Sequence, residues 1–117
     1  MIFHIAVCSP DPVLRGRVQR HCLEYYARRA DGCVVEQLSG VAELLKRETE
    51  GVRYELYLIE LSTANPAAGL QAAAQLRQRG CRAPLAFLAH TTAYAYEAFR
   101  VDAMQYLHIP FRPEQLT

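Results

Sequence analysis

Few stretches of this sequence gather side chains that could do chemistry, and each can be tested on its spacing. Cys8-Ser9-Pro10-Asp11-Pro12 follows a short apolar run and offers a thiol, a hydroxyl and a carboxylate. A cysteine loop that cradles phosphate, C-x5-R, would need arginine where Leu14 stands, so that loop amides and guanidinium surround the anion. Arg15 comes one residue late, and Pro10 and Pro12 remove two amide donors. Flavin or dinucleotide binding would want a Ser/Thr/Gly-rich first loop or G-x-G-x-x-G, and neither exists. His4, His21, His90 and His108 show no metal-ligand spacing, and Cys8, Cys22, Cys33 and Cys81 form no C-x-x-C pair. Free buried thiols are the simpler reading. His90 and His108 fall just past two neighbouring apolar runs, where a pH-sensitive pair would be placed. No cofactor and no metal are expected, and catalysis is not the expected role.

These residues are positioned by an alternating series of elements. Ile2–Val7 reads as a strand, and Asp11-Pro12 then offers an N-cap followed by a first-turn proline. Leu14, Val18, Cys22 and Tyr25 recur at helical spacing to about Arg29. Val34–Leu38 reads as a second strand, and Ser39 is expected to cap a helix carrying Val41, Leu44 and Leu45. Leu56–Leu61 has the composition of a strand buried on both faces. The Ala/Leu/Gln/Arg stretch Ala67–Arg79 favours helix. Pro84–Leu88 is a fourth strand, Thr92–Val101 a helix with Ala95, Ala98 and Phe99 inward, and Met104–Leu107 a fifth strand. Pro113-Glu114-Gln115-Leu116 begins another helix.

Strands alternating with helices imply right-handed crossovers and a doubly wound, mainly parallel α/β sheet. Five strands in 117 residues suit the flavodoxin-like order 2-1-3-4-5. Ligands of such sheets gather at the carboxyl ends of the strands. The residues to question are thus Cys8–Pro12, Glu60–Pro66, Leu88–Thr92 and His108–Pro110. The chain, 51% hydrophobic and 21% charged, reads as one globular domain over residues 1–117. A net charge of +1 makes a nonspecific nucleic-acid or membrane surface a poor expectation. With no apolar run long enough to span a bilayer and no basic leader, a cytoplasmic location is expected. The basic side of the first helix (Arg15, Arg17, Arg20, Arg28, Arg29) reads as a solvated face.

Ala93-Tyr94-Ala95-Tyr96-Glu97-Ala98-Phe99, then Asp102-Ala103-Met104-Gln105-Tyr106-Leu107 and Ile109-Pro110-Phe111, follow a known run. Together with Cys8-Ser9-Pro10-Asp11-Pro12, Gly69-Leu70 and Leu76-Arg77, they make the chain resemble a response-regulator receiver (CheY-like) domain. The resemblance is to the type attached to LytTR DNA-binding domains. It implies two-component signalling, with a sensor kinase or another regulatory protein as partner, and DNA contact only through an effector domain beyond Thr117. It also implies a full fifth helix, so that Arg112–Thr117 would be its truncated start, and a homodimer.

The residues that would perform the family's chemistry depart from its pattern. The two metal-binding acids fall at Ser9 and Pro10, leaving only Asp11. The phosphoacceptor position falls at Glu60, counting back from Gly69 with a longer loop, or else at Leu61. The chain's only aspartates are Asp11, Asp31 and Asp102, none near the third strand. The hydroxyl position is Ala89 and the lysine position Ile109; the switch aromatic is Tyr106. The resemblance therefore implies a pseudo-receiver that works without phosphorylation, through dimerisation or docking. Tyr94, Tyr96, Arg100, Asp102 and Gln105 are its interface candidates. Glu60 invites the idea of permanent phosphoryl mimicry, but it carries one charge against nearly two, and neither Ala89 nor Ile109 answers it. A rim carboxylate, hydrated or bonded to loop amides, is the expected state. The alternative role is a standalone interaction or ligand-sensing domain using the vacated pocket between Ser9, Glu60, Ala89 and Ile109.

Overall fold

A computed structural model describes residues 2–29, 31–62 and 64–108, for 105–108 the backbone. The elements run β1 (Ile2–Cys8), α1 (Pro12–Arg28), β2 (Gly32–Leu38), α2 (Val41–Thr49), β3 (Leu56–Leu61), α3 (Pro66–Gln78), β4 (Leu85–Ala89), α4 (Ala95–Arg100) and β5 (Gln105–His108). All strand pairings are parallel, in the order β2-β1-β3-β4-β5. The expected architecture is therefore present. The expected start of a helix at Pro113 lies outside the described residues.

Local chemistry sets the helix starts. Asp11 is extended at φ −93° and its Oδ1 accepts from the Val13 N–H at 2.9 Å, with Pro12 opening the helix. At α2 the N-cap is Gly40 rather than the expected Ser39. Glu43 reaches back instead, its Oε1 accepting from the Ser39 N–H at 2.8 Å. Gly80, at φ +91°, supplies the left-handed residue that stops α3.

The sheet is buried on both faces. Ile5, Val7, Leu58 and Leu88 pack with Leu14, Val18 and Cys22 of α1. On the other face Ile59, Leu61, Phe87 and Ala89 meet Leu44 of α2, Leu76 of α3 and Ala98 of α4. Gly69 lets α3 come close to the end of β3: a Cβ there would lie 2.7 Å from Leu61 Cδ2 and 3.4 Å from Ile59 Cγ2.

One helix differs from expectation. α4 starts at Ala95, and Phe99, placed inward by its spacing, is 83% exposed. The turn before it, where the Ala95 N–H donates to Thr92 O and the Ala98 N–H to Tyr94 O, rotates the helix. Ala98 is buried as expected, whereas Ala95 is exposed and Tyr94 packs against the core in its place.

Two predictions follow from this packing. Gly69→Val forces a branched side chain against Leu61, which is 2% exposed, and should cost about 2 kcal/mol in denaturant unfolding, as overpacking does. Burial pushes the Cys8 and Cys22 thiols from 9.0 up to about 12. Unfolded thiols lose their protons near 9 while the folded chain keeps them, so stability is intact below pH 9. Between 9 and 12 it should fall by roughly 1.4 kcal/mol per pH unit for each thiol. Replacing both cysteines by alanine should flatten that alkaline slope relative to the unsubstituted chain.

Candidate functional site

The carboxyl ends of β1, β3 and β4 bring Ser9, Glu60 and His90 together. Ser9 follows the last residue of β1 and is 0% exposed. Its N–H donates to Leu38 O at 3.0 Å, which fixes it beside the end of β2. Its hydroxyl donates to Glu60 Oε1 and accepts from the Asp11 N–H at 3.0 Å. Its carbonyl accepts from Arg15 Nη1 at 2.6 Å. All of its polar atoms are engaged within the protein.

Glu60 sits one residue before the end of β3, in register with Leu88 of β4. It is 8% exposed, and its second oxygen lies 3.2 Å from His90 Nε2. This differs from the expected rim carboxylate, hydrated or bonded to loop amides: the strand is buried on both faces up to its end, and the partners of the carboxylate are the side chains of Ser9 and His90. With Ser9 already donating to one oxygen, the imidazole is placed to donate to the other. An acidic group at this burial is tolerable because both oxygens are bonded. The His90 side chain is 47% exposed, so only its Glu60 edge is held inside.

This chain of contacts is not a nucleophile relay. The hydroxyl donates to the carboxylate instead of to the imidazole, and Ser9 is 0% exposed, so the pairing of a Ser–His–Asp triad is not present here. Nor is Cys8 an available nucleophile: burial, reinforced by Glu43 and Glu60, holds its thiol protonated up to about pH 12. Asp11 is exposed and its carboxylate caps α1. Among the described residues no three His, Cys, Asp or Glu side chains converge as a metal group would require.

Two small clefts flank the contact chain. One of about 200 Å³ lies towards α2 and α3, lined by Ser9, Ser39, Glu60, Ser62 and Asn65. One of about 130 Å³ lies towards α4, lined by Ala89, His90, Thr91 and Tyr94. Space is therefore found beside the Ser9–Glu60 contact and not between those two residues. Pro10 is exposed, and Ala89 is buried in register with Leu61 and with the backbone of His108. Tyr96, Arg100 and Asp102 are exposed and Tyr94 is half-buried; Asp102 takes φ +56° in the turn after α4. The side chains of Gln105, Tyr106 and His108, and all of Ile109, lie outside what is described, which leaves the His90–His108 pair without a structural account. Sequence reasoning missed His90 as the partner of Glu60. Its position just past a strand that would pair with β3 was the available signal.

No protein-family model and no curated protein matches the sequence. In three dimensions the chain is similar to the response regulator TrrA of Thermotoga maritima in complex with Mg²⁺ and beryllofluoride. The TM-score is 0.78 at 20% identity, covering 97% of this chain and 92% of that one. It is similar to the chemotaxis protein CheY4 of Vibrio cholerae, with TM-score 0.80 and 18% identity over 99% of this chain and 93% of the other. It is similar also to the response regulatory domain of MrkE from Klebsiella pneumoniae, with TM-score 0.78 and 13% identity over 97% and 88%. The five-stranded parallel sheet, its order and its flanking helices are thus those of response-regulator receiver domains, and that is the fold of this chain.

Proposed function

We propose that this chain is a pseudo-receiver, a two-component-type regulatory domain that transmits its signal by dimerising or docking without being phosphorylated. The observation that carries this reading is the state of the phosphoacceptor position. Glu60 is buried there and both carboxylate oxygens are engaged, by the Ser9 hydroxyl and by His90. No aspartate stands on β3 or its loop, since the three in the chain are Asp11, Asp31 and Asp102. A phosphoryl-transfer site needs a free carboxylate and acids to hold Mg²⁺, and Ser9 and Pro10 stand where those acids would be.

The output surface is then α4 and the start of β5. Tyr96 is 74%, Phe99 83% and Met104 57% exposed, and Arg100 lies beside them. Aromatic side chains with arginine suit a protein interface. Asp102 belongs to the same proposed face, and the resemblance to receiver domains adds Gln105 and Tyr106 as candidates. The resemblance of Tyr94–Phe99 and Asp102–Leu107 to LytTR-type receivers supports an effector of that class, through which DNA would be reached, with a sensor kinase or similar protein as an upstream partner. A second reading, ligand sensing, rests on the 200 Å³ cleft beside Glu60, where Ser39, Ser62 and Asn65 supply polar side chains.

Two measurements test the proposal. Mg²⁺ with beryllofluoride, added during amide NMR, should leave the signals of Ser9, Glu60 and Ala89 in place; saturable shifts confined to them would overturn the reading. Glu60→Gln should lose about 1–2 kcal/mol of stability, as a charge-assisted bond is weakened, while the monomer–dimer equilibrium measured by sedimentation stays unchanged. A changed equilibrium would instead favour phosphoryl mimicry by Glu60.

A further inference from the structure

At the other end of the molecule, the C-terminal ends of α3 and α4 border a cleft of about 350 Å³. Arg77, Arg82 and Arg100 line it, with Asp102 as the acidic side chain among them. Arg77 is fully committed. Its Nε donates to Val101 O at 2.9 Å, Nη1 to Cys81 O at 3.0 Å and Ala83 O at 2.9 Å, and Nη2 to Asp102 O at 3.1 Å. These acceptors are neutral, and among the described residues no carboxylate lies within ion-pair distance of Arg77.

Arg77 and Arg100 each stand in the last turn of a helix, α3 and α4, where a cation is favourable, but only Arg77 is bound by hydrogen bonds. Arg82 and Arg100 are exposed, and neither has a hydrogen bond or ion pair with any other described residue. Among the described residues, three guanidinium groups thus line one cleft with a single carboxylate, that of Asp102.

We infer that this cleft is a docking surface for an acidic segment of a partner protein. Guanidinium forks match carboxylates bidentately, and none of the other described residues takes up the donors of Arg82 and Arg100. Nucleic acid fits less well: a net charge of +1 and the Asp102 carboxylate oppose the run of phosphate contacts it requires. The surface lies away from the Glu60 edge, so it stands whether or not that edge is phosphorylated.

The test is amide NMR of the 117-residue chain titrated with the synthetic peptide Glu-Glu-Leu-Glu-Glu at low salt. Shifts confined to residues 74–82 and 97–102, suppressed by salt, are expected. Arg82→Gln combined with Arg100→Gln should weaken binding by about tenfold while the chain stays folded, as its unchanged amide dispersion elsewhere would show. The control Arg17→Gln with Arg20→Gln on α1 should bind as the original chain does. Shifts centred on α1, or unchanged binding by the Arg82/Arg100 variant, would overturn the inference. So would inorganic phosphate reproducing the shifts at the same concentration, which would mean a small-anion site, or a short DNA duplex binding there more tightly than the peptide.

Discussion

A single buried carboxylate ties together three neighbouring parts of the sheet's carboxyl edge. Glu60 takes the Ser9 hydroxyl from the loop after β1 and meets His90 from the loop after β4. Carboxylates are rarely this buried without partners, because losing water costs several kcal/mol that only good hydrogen bonds recover. The surrounding loops are arranged accordingly. Ser9 is held by the Leu38 carbonyl, by Arg15 and by the Asp11 N–H, and the same Asp11 caps α1. The start of α1 and the ends of β1, β3 and β4 therefore share one hydrogen-bonded assembly.

The sheet, its order and its crossovers are those of receiver domains; in the reading proposed above, the hydrogen bonds within this assembly occupy the edge where a receiver's chemistry would take place. The two surfaces proposed for other proteins lie elsewhere: the aromatic face of α4, and the arginine-lined cleft at the C-terminal ends of α3 and α4. Arg77 connects the two. Its bonds to Val101 and Asp102 carbonyls pin the turn where Asp102 adopts a left-handed backbone, at a conformational cost of order 1 kcal/mol. The end of α3 thereby fixes where α4 ends and how its exposed side chains are presented.

The sequence foretells some of this and hides the rest, for physical reasons. The bounds of β3, Leu56–Leu61, match expectation because six successive residues must suit a strand covered on both faces. Asp11-Pro12 announces α1 because cap and first-turn proline act locally. The Glu60–His90 contact could be read only through the strand order: it depends on the pairing of β3 with β4 across 30 positions, which no local residue pattern marks. The four carbonyls around Arg77 leave no mark on residue type, since every residue carries one. The inward position of Phe99 was expected from helical spacing, and it failed because α4 is only six residues long and its preceding turn sets the rotation. Periodicity is reliable only where several turns average over such offsets.

The central claim is that the carboxyl edge binds itself together and does not accept a phosphoryl group. It is tested most directly by incubating the purified chain with Mg²⁺ and a small acyl phosphate and measuring its intact mass. The account predicts an unchanged mass under conditions that modify an active receiver control. A chain one phosphoryl group heavier, with the adduct mapped to Glu60 or its neighbouring loops, would contradict it.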